Sequence, residues 1–261
     1  RMIIPHGDDY LLPNDNTFFV GASGEIEKFS KHFVGTGIKA PERVMIIGAG
    51  RTGRTLASML DKQGVQVKVI EKDAERSRMV AERIEEGIVV RGDGTDIDLL
   101  TQEGVGEADV VICLTADDKL NLMLALLAKH LGAARTIVRV ARIEYVDLME
   151  KVGVDIVLSS RLLAAGEILA FARRGGVVSV ALLEGAKAEA MEVIVQKGSY
   201  VENKKLMDLQ LPKECLICAF VRDDEAFVPT GQSSLQAGDR AILFIRMEFA
   251  NKVMKYFAGK A

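Results

Sequence analysis

Six residues, Gly48-Ala-Gly-Arg-Thr-Gly53, stand between an apolar run, Arg43-Val-Met-Ile-Ile47, and a helical pattern beginning at Thr55-Leu-Ala-Ser-Met-Leu60. Glycines at this spacing can cradle a pyrophosphate. Gly48 permits a tight turn, Gly50 lets the backbone approach the phosphates, and Gly53 brings the helix against the strand. Ala49, Arg51 and Thr52 complete the loop. The helix start then offers free N–H groups and positive potential to phosphate oxygens. Glu71 closes the next apolar run, 18 residues after Gly53. A carboxylate there accepts both hydroxyls of an adenosine ribose and repels a 2′-phosphate. The chemistry expected is binding of NAD(H) or another adenine nucleotide rather than NADP, although neighbouring Lys72 softens that exclusion. Arg51 can reach the additional phosphates of ATP or ADP. The alternative is a scaffold that keeps its glycines for folding and binds nothing.

Further candidates fall where strands end. Asp93 follows a third apolar run, Ile88-Val-Val-Arg91, and Thr115-Ala116 follows a fourth, Asp109-Val-Val-Ile-Cys-Leu114. Arg139 lies within a fifth, Thr136-Ile-Val-Arg-Val140. Ligands of open α/β sheets bind at the carboxyl ends of strands, so these four residues join the candidate site. Each has a purely structural alternative: Asp93 in a turn, Thr115 as a helix cap, Arg139 in an ion pair.

The elements that must position them alternate strand and helix from Arg43 to Ser159. Gln66–Glu71 is the second strand and Asp155–Leu158 the sixth, with a charged helix through Glu85 and another over 118–131. Gly92-Asp-Gly-Thr-Asp96 is a turn ending in a helix N-cap. Strands separated by helices of this length form a parallel, doubly wound Rossmann sheet with right-handed crossovers. Beyond Gly175 the pattern changes to short strands with charged turns: 177–183, 191–195, 215–221, 226–229 and 240–245. The fold class expected is therefore α/β, a Rossmann unit followed by a smaller α+β domain.

Lys and Arg total 34 against 37 Asp and Glu, a net charge of −3, with no basic stripe to suit DNA or RNA. The longest apolar runs are broken early, as by Lys129, and none reaches the roughly 18 residues needed to cross a bilayer. Three cysteines, an odd number, fit a reducing cytoplasm better than a disulfide scaffold. Cys215 and Cys218 form a C-x-x-C, but inside a strand pattern, where residues three apart point to opposite faces. No second Cys/His pair completes a metal site, so two buried thiols are expected, and no metal ligand is assigned.

Residues 1–35 repeat the C-terminal end of the chain at a constant offset of 224 residues. Pro5 falls on Pro229, Gly7 on Gly231, Leu11 on Leu235, Asp15 on Asp239 and Phe33 on Phe257. Each copy has the pattern of a short strand, a P-x-G turn, a turn ending in Asp, an apolar strand and a helix. The repeat suggests a longer protein built as nucleotide unit and small β unit, twice over, with residues 1–35 closing the first pair.

A dehydrogenase needs a second domain that supplies an acid or base, yet all three histidines, His6, His32 and His130, precede the small β domain. There is no G-x-S-x-G elbow. No catalytic residue is assigned, and a ligand-gated switch fits better than an NAD-dependent oxidoreductase with an atypical second domain, which stays as the alternative.

The run Gly48–Gly53, Val-Ile-Glu71, Gly92-Asp-Gly-Thr-Asp96, Leu-Thr-Ala-Asp-Asp118 with Asn121, and Ile-Val-Arg139 resembles the nucleotide domain of the RCK (regulator of potassium conductance) family. Leu-Gln-Ala-Gly-Asp239 and the Pro229-Thr-Gly231 turn resemble its C-terminal domain. The resemblance runs essentially end to end. It implies NAD(H) or adenine-nucleotide binding at 48–53, Glu71, Thr115, Ala116 and Arg139. It also implies assembly into dimers or rings on the cytoplasmic side of an integral-membrane potassium-translocating subunit, which ligand-dependent ring shape would gate. The expected organisation is 1–35 as a partial C-terminal domain, 36–160 as the nucleotide unit, 161–176 as a crossover helix and 177–261 as the C-terminal domain. Lys119 replaces a usual acidic residue and Ser160 a common proline, which puts in doubt metal bridging at that edge and the exit of the following helix. The helix from Arg161 to Arg174 is apolar on most faces, as for a helix that is buried. Packing on another subunit is expected, a buried hinge within the chain being the alternative.

Overall fold

The computed structural model describes residues 3–5, 8–13, 15, 17–22, 24–26, 28–29, 40–173, 176–183 and 187–259. Two compact units emerge, Lys39–Arg161 and, as the second, Arg1–Ile38 with Leu162–Ala261.

The first unit runs β1 (Arg43–Ile47), α1 (Arg51–Lys62), β2 (Gln66–Glu71), α2 (Ala74–Ala81), β3 (Ile88–Arg91), α3 (Ile97–Gln102), β4 (Val110–Cys113), α4 (Asp118–His130), β5 (Thr136–Val140), α5 (Val146–Lys151) and β6 (Ile156–Ser159). All six strands are parallel, in the order β3-β2-β1-β4-β5-β6. The strands read as continuous apolar runs because both faces of the sheet are covered. Ile46 and Val69 pack with Ala57 of α1 on one face, and Met45, Ile70 and Val111 pack with Leu124 and Ala128 of α4 on the other. The order reverses between β1 and β4, which opens a crevice at the carboxyl ends of those strands. Helix α2 stops at Ala81, short of the expected Glu85, since the N–H groups of Glu85 and Gly87 turn instead to the carboxylate of Asp61.

The second unit contains α6 (Ser160–Ala172), β7 (Val177–Leu183), β8 (Ala188–Ile194), β9 (Cys215–Arg222), β10 (Glu225–Phe227), β11 (Arg240–Arg246) and α7 (Ala250–Phe257). The strands form an antiparallel sheet ordered β10-β9-β11-β8-β7. Met191, Leu243 and Ile245 meet Val253 and Phe257 of α7 in its core. The expected alternation in β9 breaks at a bulge, where Ile217 pairs with Leu243 and Ala219 with Ile242. Cys218 is the extra residue and is half-buried, whereas Cys215 is buried.

Asp239 is almost fully buried and accepts hydrogen bonds from Arg222 Nε at 2.8 Å, Arg222 Nη2 at 2.6 Å and the Gln236 N–H at 2.7 Å. Burial raises its pKa, but the Arg222 hydrogen bonds and charge more than offset this and hold it below the usual carboxylate value. The stabilisation is thus complete above the unfolded carboxylate pKa, about 3.9, and is lost as pH falls through the depressed folded value. Asp239→Ala should cost roughly 3 kcal/mol in urea unfolding at pH 7, because Arg222 loses its partner. An equal cost at pH 2 would rule out the ion pair as the cause.

Helix α6 corrects one alternative. A buried hinge within the chain does not hold: Gly166 is the buried residue of this helix, while Leu163, Ile168 and Phe171 are 62%, 66% and 78% exposed. One face does meet the C-terminal sheet. A Cβ on Gly166 would stand 2.5 Å from the Val180 carbonyl oxygen, and Arg173, just past the helix, pairs with fully buried Glu189 on β8. Arg174, the expected last residue of the helix, lies outside the described residues.

The N-terminal copy is only partly as expected. Residues 24–26 and 28–29 are helical, but the expected strands at 3–5 and 18–20 do not form. A strand needs a ladder partner, and β11 in the second copy has two, β8 and β9, whereas no strand occurs among the described residues of 3–29. Gly7 and Phe33 lie outside the described residues. Local geometry nevertheless recurs at the same offset. The Leu12 N–H donates to Asp15 Oδ2 at 2.8 Å, as the Gln236 N–H does to Asp239 Oδ2 at 2.7 Å. The rings of Phe19 and Phe29 lie 4.7 Å apart, and their counterparts Leu243 and Val253 share one core.

Candidate nucleotide site

A cavity of about 290 Å³ opens at the carboxyl ends of β1, β2, β4 and β5. Seven of the eleven residues singled out from sequence line it: Gly48, Gly50, Glu71, Asp93, Thr115, Ala116 and Arg139. Ala49, Arg51, Thr52 and Gly53 do not. Arg51 and Thr52 are exposed on the first turn of α1, and Ala49 and Gly53 are buried behind the loop. A larger recess, about 670 Å³, lies at the amino ends of the strands, where the cations Lys68 and Arg43 pair with Glu103 and Glu107.

The three glycines have three separate reasons. Gly48 has φ +104°, and a Cβ there would sit 3.0 Å from the backbone of Leu114 and Thr115. On Gly53 a Cβ would fall 2.0 Å from the Gly48 carbonyl oxygen, so only glycine lets α1 come this close. Gly50 caps α1 with ordinary extended backbone, and a Cβ on it would meet nothing within 4 Å. Folding therefore does not require glycine at 50, and the space it leaves belongs to the cavity.

Glu71 has a structural role that sequence reasoning missed. It is 6% exposed, and its two oxygens accept the N–H of Ala49 at 2.6 Å and of Asp73 at 2.9 Å. The carboxylate braces the glycine loop, while each oxygen keeps a lone pair for a ribose hydroxyl. The other carboxylates at the rim are also engaged. Asp93 Oδ1 accepts the N–H and hydroxyl of Thr95, both at 2.9 Å. These bonds, the backbone one first, and the charge of Lys72 hold Asp93 below its ordinary pKa despite some burial. Asp117 caps α4 through the N–H groups of Lys119 and Leu120, so the cap is Asp117 and not Thr115.

What remains unspent is donors. Arg139 Nε is buried with no hydrogen-bond partner, and α1 begins without a side-chain cap. Lys72 and Arg76 line the same cavity. Arg76 was not singled out from sequence; its place two residues into a charged helix carried no signal. The arrangement sets donors suited to an anion beside carboxylates that can still accept hydrogen bonds.

Cys215 and Cys218 do not offer thiolates. Burial, with some repulsion between the two, pushes Cys215 to about 12, and burial pushes Cys218 to about 11. Among the described residues no group of three or more His, Cys, Asp or Glu is placed to hold a metal. Nor is any described helix long and apolar enough to cross a membrane.

Residues 44–160 match the TrkA-N domain and residues 190–258 the TrkA-C domain. The chain is 36% identical over 258 residues to the Trk system potassium uptake protein TrkA homolog 1 of Methanosarcina mazei, covering 98% of this chain and 57% of that protein. It is 33% identical to TrkA of Vibrio alginolyticus, over 94% of this chain and 54% of that protein. The chain thus spans little more than half the length of these relatives. A crystal structure of the GsuK RCK domain superimposes with a TM-score of 0.53 at 19% identity, covering 86% of this chain and 49% of that one, a likeness of fold. With the TrkA-N and TrkA-C domains matched in order, and relatives aligned along nearly its whole length, the chain belongs to the TrkA family.

Proposed function

We propose that the cavity at the carboxyl edge of the first unit binds NAD(H), or alternatively ATP or ADP, and that this segment regulates potassium uptake. The observation that carries the reading is the imbalance at the cavity. Every rim carboxylate is internally bonded, while Arg139 Nε and the start of α1 have donors to spare. Phosphates on the α1 N-terminus and Arg139, with ribose hydroxyls on Glu71, satisfy both. The relatives are named for potassium uptake, so the action proposed is on an integral-membrane potassium-translocating partner, from the cytoplasmic face and without catalysis. Exposed Leu163, Ile168 and Phe171 on α6 support self-association into dimers or rings, and a ligand gates the partner by preferring one ring shape. The organisation proposed is the one expected from sequence, with residues 1–35 a second copy of the end of the TrkA-C type unit.

Titration of the purified chain with NAD, NADH, ATP and ADP tests the site. A ligand at about 100 times its Kd stabilises the native state by roughly 2.7 kcal/mol, or about 5–10 °C in melting temperature for a protein of this size. No shift with any of the four at millimolar concentration would leave a Rossmann scaffold without a ligand.

A further inference from the structure

We propose that Asn121 is a positioning residue for this cavity, setting the separation of its β4 and β5 rims without touching the ligand. The inference rests on the nucleotide reading above. Asn121 lies on the first turns of α4, is 0% exposed and is not among the lining residues. Its Oδ1 accepts the Thr115 N–H at 2.9 Å and the Thr115 hydroxyl at 2.6 Å. Its Nδ2 donates to the carbonyls of Thr115 at 3.1 Å and Arg139 at 3.0 Å. The backbone partners fix the amide's orientation, since an N–H must face the oxygen and two carbonyls must face the nitrogen.

All four positions of the amide are used, and they join two strand ends. Thr115 follows β4 and Arg139 lies on β5, and both line the cavity. Asp118 on the same turn accepts the N–H groups of Ala141 and Arg142 and fastens the chain leaving β5. The start of α4 is thus a clamp across the carboxyl ends of β4 and β5. Only an amide meets the demand at 121. Leucine would leave the Thr115 N–H and two carbonyls without this partner, and a carboxylate would face the same two carbonyls with negative charge.

Asn121→Asp separates positioning from bulk structure. The introduced carboxyl, while protonated, can still accept from Thr115 and donate to one carbonyl, whereas once ionised it repels both. NAD affinity, measured by calorimetry well below the melting temperature, should stay within about threefold of wild type at pH 5 and fall at least about tenfold by pH 8, because burial beside two carbonyls raises the pKa of that carboxyl. Wild type should be flat across the same range, NAD having no group that titrates there. If N121D binds NAD like wild type at both pH values, Asn121 does not position the site. If wild type binds neither NAD nor ADP, the nucleotide reading fails, and this inference with it. Should the variant not fold, hydrogen exchange on ligand-free wild type decides. The Thr115 amide, bonded to Asn121 Oδ1, should be protected at least about tenfold over an open loop, and unprotected exchange there would overturn the clamp.

Discussion

Gly50→Val is expected to abolish nucleotide binding while leaving the fold nearly as stable as wild type. A Cβ at 50 meets no atom within 4 Å, and the backbone there is at φ −62°, open to any residue. A β-branched residue at a helix N-cap costs about 1 kcal/mol at most relative to glycine. The added methyls stand instead where phosphate must approach the α1 N–H groups, so affinity should fall at least about a hundredfold. Gly53→Ala gives the opposite result. Its Cβ would lie 2.0 Å from the Gly48 carbonyl, and relief requires moving α1 away from the sheet. That variant should lose several kcal/mol of stability, as overpacked sites do at the upper end of their range. The two melting curves, with and without ligand, check the pair. If G50V retains the ligand-induced shift, phosphates do not sit on this loop, whatever else the cavity holds.

The second large effect concerns α6. Replacing Leu163, Ile168 and Phe171 with Asp should convert oligomers to monomers in light scattering and leave nucleotide affinity within about twofold of wild type. Burying one such side chain is worth roughly 1.5–3 kcal/mol, and a symmetric contact counts it once per copy. Leu162 is half-buried, whereas Leu163 and Phe171 face outward, so the substitutions fall on the outward residues. Under the proposed gating role, the same contact matters for transport. A ligand that bound every ring shape equally would shift nothing, so separating the subunits should uncouple transport from nucleotide. A wild-type chain that is monomeric at high concentration would remove self-association from the proposal.

The sequence was most informative where local chemistry and periodicity agree. The glycine loop, the apolar strands and the Asp96 cap are encoded within a few residues, and hydrophobic runs buried on both faces announce a parallel sheet. The strand ends holding Asp93, Thr115 and Arg139 were legible for the same reason. Limits appear with Glu71 and Asn121. From sequence, Glu71 had no evident reason to be acidic apart from a ribose; its bond to the Ala49 N–H arises because β1 and β2 lie side by side with Ile47 opposite Ile70. Asn121 was legible only within the family resemblance and its role was not, since its bonds reach Thr115 and Arg139, 6 and 18 residues away at the ends of two strands.

What the sequence determined by itself is the Rossmann unit, its loop and the repeat at offset 224, all properties of spacing along one chain. Only the tertiary structure decided that Gly50 is free of packing demands, that the rim carboxylates are already engaged, and that α6 leaves its apolar face uncovered. Those are properties of distance between residues remote in sequence. A side chain's type states which bonds it can make, but its neighbours decide which of them remain available.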